Sequence, residues 1–198
     1  MGSKSFAAGV VLALGLAGCS ATSGVSIVED QQTGFFSPEE YGFDASKGEM
    51  TAVVRGSAFG MDQASLANLV VQNMQGSDWT PHARFTSASG PNTARTYSYV
   101  MMLDGPRNVT GASLCEQPLQ PLPTAAANRP AGELRLVAAL CRYNKATNSV
   151  SGRALGVVGP YDPKVHELIA GSMLQLTRPN QDRIDRDRDH GSDHEFIR

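Results

Sequence analysis

The stretch Arg95-Thr96-Tyr97-Ser98-Tyr99-Val100-Met101-Met102-Leu103 contains the clearest strand pattern in the chain. Side chains two positions apart lie on the same side of a strand. One side therefore carries Tyr97, Tyr99, Met101 and Leu103, and the other carries Thr96, Ser98, Val100 and Met102. Asp104-Gly105-Pro106 then ends the strand, because these residue types favour turns. We therefore place a β-sheet at the centre of the predicted fold.

Three further segments show the composition and alternation of strands, namely residues 50–55, 133–143 and 149–158. Residues 144–148 are polar and predict a turn, so the last two strands are expected to pair as a hairpin. Gly152 and Gly156 in the last strand indicate an edge, a bulge or close packing against a helix.

Two segments predict amphipathic helices. The first follows Asp62, a favoured N-cap residue, and Gly76 can close it. Its apolar stripe is Leu66, Leu69, Val70 and Met74. The second begins at Asp162-Pro163, where Asp caps the helix and Pro takes its first position, and Pro179 stops it. Its apolar stripe is Val165, Leu168, Ile169, Met173 and Leu176.

These elements occur in the order β-α-β-β-β-α. The order predicts an α+β two-layer sandwich, in which a mostly antiparallel four-stranded sheet carries two helices on one face. The helical stripes would then be buried against the sheet. A parallel alternative would need a right-handed crossover through the first helix between the first two strands.

The predicted domain spans residues 49–179 and has flanking segments on both sides. Residues 19–48 look like a tether, but they contain an aromatic cluster of Phe35, Phe36, Tyr41 and Phe43. That cluster either packs on the domain as a flap, which we favour, or docks a partner. Residues 180–198 are highly charged without an apolar period, which predicts a disordered tail.

Leu16-Ala17-Gly18-Cys19 resembles the lipobox of bacterial lipoproteins. Lys4 and an apolar run that is too short to cross a bilayer precede it, as in a signal peptide covering residues 1–18. The resemblance implies that Cys19 becomes the first mature residue and carries the lipid, including palmitate, that holds the protein in a membrane. Ser20 follows Cys19, which fits the outer membrane of a Gram-negative envelope, with the domain facing the periplasm.

Residues 50–179 also resemble a family of uncharacterised proteobacterial lipoproteins. The resemblance rests on Val53-Val54-Arg55-Gly56, Phe59-Gly60, Tyr97 to Met102, Leu114-Cys115, Leu140-Cys141-Arg142 and Gly159-Pro160. These motifs are short and structural, and the resemblance implies no activity.

Cys115 and Cys141 form an even pair once Cys19 is assigned to the anchor. In an exported domain such a pair is most simply a disulfide. A metal pair and free thiols are the alternatives. No second Cys or His lies at ligand spacing beside either residue, which argues against zinc.

Catalytic and metal-binding patterns fit poorly. Gly111-Ala112-Ser113-Leu114-Cys115 ends in Cys where a nucleophile elbow needs Gly. Asp185, Asp187 and Asp189 alternate, but His190 and Phe196 stand where a calcium loop needs Gly and Glu. His190 and His194 would bind a transition metal weakly only if a helix formed there. We therefore expect no enzyme, no cofactor and no metal site.

Binding remains the favoured function class. A net charge of −2 argues against a nucleic-acid partner. Loops at residues 77–93 and 104–132 could present Trp79 on a rigid sheet to an envelope protein or lipid. The alternatives are an envelope hydrolase that uses His82, Ser113 or the Asp-rich tail, and a purely structural envelope protein.

Overall fold

A mixed sheet of six strands organises the computed structural model, which describes residues 24–32, 36–77, 83–91, 93–116 and 131–178. The strands are β1 (Val25–Gln32), β2 (Glu49–Gly56), β3 (Arg84–Thr86), β4 (Thr93–Leu103), β5 (Glu133–Arg142) and β6 (Lys145–Leu155). The helices are α1 (Pro38–Ser46), α2 (Gln63–Met74), α3 (Gly111–Glu116) and α4 (Pro163–Leu176). Across the sheet the strand order is β1-β6-β5-β4-β2-β3.

The prediction of a four-stranded, mostly antiparallel sheet with two helices is wrong. Strands β1, β6, β5 and β4 pair antiparallel, whereas β2 pairs parallel with both β4 and β3. The parallel pairing arises because α2 carries the chain from β2 back along the sheet before β4 begins. Strand β3 has 3 residues and α3 has 6, so neither is long enough to produce a periodic pattern.

Residues 24–32 and 36–46 contribute structure where the sequence predicts a tether. Strand β1 pairs with β6 at one edge of the sheet, with Val25 opposite Ala154. Helix α1 buries Tyr41 and Ala45 in the core. Phe36 and Tyr41 therefore pack on the sheet, whereas Phe43, on the same helix as Tyr41, is exposed.

Two apolar layers enclose the sheet. The larger layer lies between the sheet and α1, α2 and α4, and it contains Tyr97, Tyr99, Met101 and Leu103. The smaller layer lies on the opposite face, where Val100 and Met102 pack with Leu114 of α3. From Val100 to Leu103, strand β4 is apolar on both faces, and both faces are covered there.

The two predicted helices and their caps are confirmed. The carboxylate of Asp62 accepts hydrogen bonds from the backbone N–H groups of Ala64 and Ser65 at the start of α2. Asp162 caps α4 in the same way, with Pro163 at the first helical position. Both stripes face the larger layer, and Leu66, Val70, Leu168 and Ile169 are fully buried.

Gly56 turns the chain from β2 towards α2. Its φ of 91° lies in the left-handed region, and a Cβ there would stand 1.9 Å from the carbonyl oxygen of Leu103. Only glycine allows β2 and β4 to approach each other so closely at this point.

Several predicted features lie outside the described residues. They are the signal peptide at residues 1–18, the lipidated Cys19, Trp79, His82 and the tail at residues 180–198. Among the residues that are described, no helix has the length and hydropathy needed to cross a membrane.

Candidate functional site

Buried aromatic rings form a cluster between α1 and the sheet. Tyr41 of α1 lies edge-on to Tyr97 and Tyr99 of β4, with centroid distances of 5.6 and 6.4 Å. The hydroxyl groups of Tyr41 and Tyr99 share a hydrogen bond. Phe36 and Phe85 extend the cluster on either side. Edge-to-face packing of this kind adds stability beyond burial alone, so α1 is fixed in orientation.

A buried carboxylate ties α1 to the backbone of β4. Asp44 Oδ2 accepts hydrogen bonds from the N–H groups of Thr96 and Tyr97, both at 3.0 Å. Both donors belong to the first half of β4. Because Asp44 is only 7% exposed, these bonds are shielded from water.

An ion pair continues this network to the surface. Arg142 Nη2 donates to Glu40 Oε1 at 2.8 Å, and both side chains are about one-third exposed. The Tyr97 hydroxyl donates to Glu40 Oε2 at 3.3 Å. Burial raises the pKa of Tyr97, and the Glu40 carboxylate raises it further, so the hydroxyl keeps its proton. The hydrogen bond to Glu40 likewise raises the pKa of Arg142.

Two exposed rings follow the paired residues closely in the sequence, Tyr143 directly after Arg142 and Phe43 three positions after Glu40. Tyr143 is 65% exposed and lies 5.8 Å from the Arg142 guanidinium carbon, while Phe43 is 61% exposed with Lys47 Nζ 3.9 Å above its ring. We call this surface the hairpin end and define it by Glu40, Phe43, Lys47, Arg142 and Tyr143. Cation–π contacts of this kind hold an exposed ring in place.

Tyr143 adopts a conformation that its residue type disfavours. It occupies the two-residue turn between β5 and β6 with a φ of 56°. Turns of this length normally take Asn or Gly where φ is positive, because a Cβ crowds the backbone there. The Tyr143 N–H donates to the Thr96 carbonyl at 2.8 Å, which links the turn to the strand that Asp44 holds.

The predicted disulfide is confirmed. Cys115 of α3 is bonded to Cys141 near the end of β5, with Cα atoms 5.6 Å apart. The bond ties α3 to the smaller apolar layer, behind the hairpin end.

Ser113, a candidate for catalysis in the sequence, forms hydrogen bonds with backbone atoms of Thr110. Its hydroxyl donates to the Thr110 carbonyl at 2.8 Å and accepts from the Thr110 N–H at 3.2 Å. These bonds shape the start of α3. Within residues 24–32, 36–77, 83–91, 93–116 and 131–178, no group of three potential metal ligands comes together.

Sequence reasoning missed most of the hairpin end. It flagged the aromatic cluster that contains Tyr41 and Phe43, and it named Arg142 only within the motif Leu140-Cys141-Arg142, with no role for Glu40 or Tyr143. The partners Glu40 and Arg142 lie 102 positions apart, so no local pattern connects them. The residue type of Tyr143 does not predict its positive φ, because tyrosine disfavours that conformation.

Comparison with known proteins gives no family assignment for this chain. No family model and no curated protein match the chain. Among solved structures, the PelC dodecamer from Paraburkholderia phytofirmans is similar, with 12% identity over 79% of this chain and 99% of that chain, and a TM-score of 0.41. A variant of that dodecamer in a second crystal form gives a TM-score of 0.40 at the same identity. Similarity at this level supports no inference about the present chain.

Proposed function

We propose that this chain is a lipid-anchored lipoprotein of the cell envelope, and that it acts as a non-catalytic binding module. Its anchor is the lipid on Cys19. Its partner is another envelope protein, which it holds through the hairpin end. The domain faces the periplasm from the outer membrane.

Two observations support the location. The sequence Leu16-Ala17-Gly18-Cys19 has the form of a lipobox. Cys115 and Cys141 are bonded to each other, and structural disulfides persist in oxidising compartments such as the periplasm. Each buried lipid CH₂ contributes about 0.8 kcal/mol to membrane binding, so two or more acyl chains give a lasting anchor.

The exposed Tyr143 is the observation that carries the binding role. A left-handed conformation costs a residue with a Cβ about 1 to 2 kcal/mol, and glycine would avoid this cost. Residues held in such conformations are concentrated at functional sites. Because the ring is exposed, burial does not account for its presence. Contact with a partner does account for it.

The chemistry of the surface fits a protein partner. Tyr and Arg are the residue types that most often dominate binding energy at protein interfaces. Arg142 and Tyr143 are adjacent here, Glu40 holds Arg142 in place, and the Tyr97 hydroxyl bonds to the same carboxylate. A preorganised surface loses less side-chain entropy on binding, which favours affinity.

A crosslinked pull-down from whole envelopes tests the binding role. The variant Tyr143→Gly removes the ring and suits the backbone, so the fold is kept. The matched control is Leu174→Ser, which removes an exposed apolar side chain from α4. We expect one stoichiometric partner with the wild type and the control, and a loss of about tenfold or more with Tyr143→Gly, as for a hot-spot residue. Equal recovery by all three proteins would contradict the proposal.

Fractionation tests the anchor separately. Cys19→Ser should release the protein from the membrane fraction and abolish incorporation of labelled fatty acid. A Cys19→Ser protein that still partitions into the detergent phase would contradict the anchor and leave the hairpin end to be judged by the pull-down.

A further inference from the structure

Large apolar side chains project into solvent where β6 leads into α4. Val158 is 93% exposed, Tyr161 is 84% exposed and Leu155 is 47% exposed. Single exposed apolar residues are common on proteins, but here three lie together within residues 155–161, at the end of β6 and just after it. We call these three residues the loop patch.

Hydrogen bonds hold the connection in one shape. The Val157 N–H donates to the Gly132 carbonyl at 2.8 Å, and the Val158 N–H donates to Asp162 Oδ2 at 3.0 Å. The other oxygen of Asp162 caps α4. These bonds lower the pKa of Asp162, so its carboxylate stays charged at neutral pH. Val158 is therefore presented to solvent by an ordered backbone.

A lysine side chain binds backbone carbonyl groups at the start of the same connection. Lys164 Nζ donates to the carbonyl oxygens of Leu155 and Gly156, at 2.9 and 3.0 Å. Both charged groups of the connection, Lys164 and Asp162, are thus bonded to backbone atoms, and the tip that bears Val158 and Tyr161 carries no charge of its own.

The loop patch lies close to the point where the proposed anchor joins the domain. The Leu155 N–H donates to the carbonyl of Gly24 at 2.9 Å. Gly24 is the fifth residue after Cys19. Five extended residues span at most about 18 Å, so a lipid on Cys19 keeps Gly24 within that distance of the membrane.

The hairpin end lies at the other end of the strands. Strand β5 has 10 residues and runs from the Leu155 side of the sheet to Arg142, which corresponds to about 30 Å. That length exceeds the reach from Cys19. An orientation with the hairpin end on the membrane would lift Gly24 too far from the lipid, so the loop patch is the apolar surface that an anchored domain can bring to the bilayer.

We infer that the loop patch rests in the headgroup layer of the phospholipid bilayer that holds Cys19. The inference depends on the proposed lipid anchor. Val158 supplies apolar area, and Tyr161 has an apolar ring with a polar tip, which suits the membrane interface. The contact orients the domain with the hairpin end directed away from the membrane, where a partner can reach it.

Site-specific fluorescence quenching tests this orientation. Val158→Cys and Tyr143→Cys each introduce one reactive thiol at an exposed site, because Cys115 and Cys141 are bonded to each other. Each lipidated variant is labelled with an environment-sensitive dye and reconstituted into phosphatidylcholine vesicles with and without nitroxide-bearing lipid. We expect about threefold quenching at position 158, as for a probe at interfacial depth, and almost none at position 143.

The outcomes separate the inference from its premise. Mass spectrometry that finds no lipid on Cys19 would overturn the anchor and the orientation together. A lipidated, vesicle-bound protein in which positions 158 and 143 are quenched equally would overturn the orientation alone. Stronger quenching at Val28→Cys, on the exposed side of β1, would also overturn it, because the domain would then lie on its edge. Tyr161→Cys repeats the measurement at a second residue of the patch.

Discussion

The hairpin end and the loop patch both expose aromatic rings, but they support them in different ways. At the hairpin end, the surface residues rest on a network in which the buried Asp44 and Tyr97 and the partly exposed Glu40 fix α1 and β4. At the loop patch, backbone hydrogen bonds, the Asp162 carboxylate and the Lys164 ammonium group hold the connection. A protein partner requires fixed side-chain geometry, whereas a bilayer requires only apolar area at the correct depth.

Loss of the disulfide should produce the largest difference between the two ends. The double variant Cys115→Ala, Cys141→Ala opens a crosslink with a sequence separation of 26. The chain-entropy estimate for that loop is a loss of about 3.5 kcal/mol in unfolding free energy. Urea unfolding measures the loss, and hydrogen exchange should rise at α3 and the end of β5 more than at the loop patch. The reduced wild type is the control, and a shared urea midpoint for the variant and the oxidised wild type would contradict the prediction.

Removal of the Asp44 carboxylate should have the second-largest effect on stability. Asp44→Ala leaves the N–H groups of Thr96 and Tyr97 without this acceptor in a buried position. We expect a loss of about 2 to 3 kcal/mol in unfolding free energy. Asp44→Asn is the matched control, because it keeps one side-chain oxygen as an acceptor and should lose less. If the two variants unfold at the same urea concentration, Asp44 does not act through these bonds.

Replacement of Tyr143 should stabilise the fold while it impairs binding. Tyr143→Gly relieves the left-handed strain, part of which is offset by the greater freedom of glycine in the unfolded chain, so we expect a net gain of about 0.5 to 1 kcal/mol. Tyr161→Gly is the matched control at the loop patch, since Tyr161 is also an exposed tyrosine but has no positive φ. Thermal unfolding should show a rise for the first variant and none for the second. A fall for Tyr143→Gly would show that the ring stabilises the turn.

Protonation of Asp162 should have the smallest effect, confined to the loop patch. Hydrogen bonds from the N–H groups of Lys164 and Val158 lower its pKa from the ordinary value of 3.8. The stability that these bonds add is therefore fully present above pH 3.8 and is lost as the pH falls through the lower folded pKa. Asp162→Asn should remove this dependence and speed hydrogen exchange at Val158. Asp62→Asn, at the other confirmed cap, should leave exchange at Val158 unchanged.

Local patterns were sufficient for the parts of the fold that depend on neighbouring residues. The caps Asp62 and Asp162, the apolar stripes of α2 and α4, and the alternation of β4 all follow from spacing within one element. The parallel pairing of β2 with β4 depends on where the chain returns, so spacing within a strand cannot reveal it. The network of Glu40, Arg142 and Tyr97 joins three distant segments, and only the folded chain brings them together.

The pairing of β1 with β6 has a consequence for the order of folding. Ser26 of β1 and Arg153 of β6 lie 127 positions apart and share a hydrogen bond, so the first strand described in the chain pairs with the last. Contacts between residues so far apart in the sequence form slowly. Because the chain is made from its N-terminus, β1 is also synthesised long before β6. Strand β1 therefore stays without its partner strand through most of synthesis, and the larger apolar layer, against which Ile27 packs, closes at this edge only after β6 has been made.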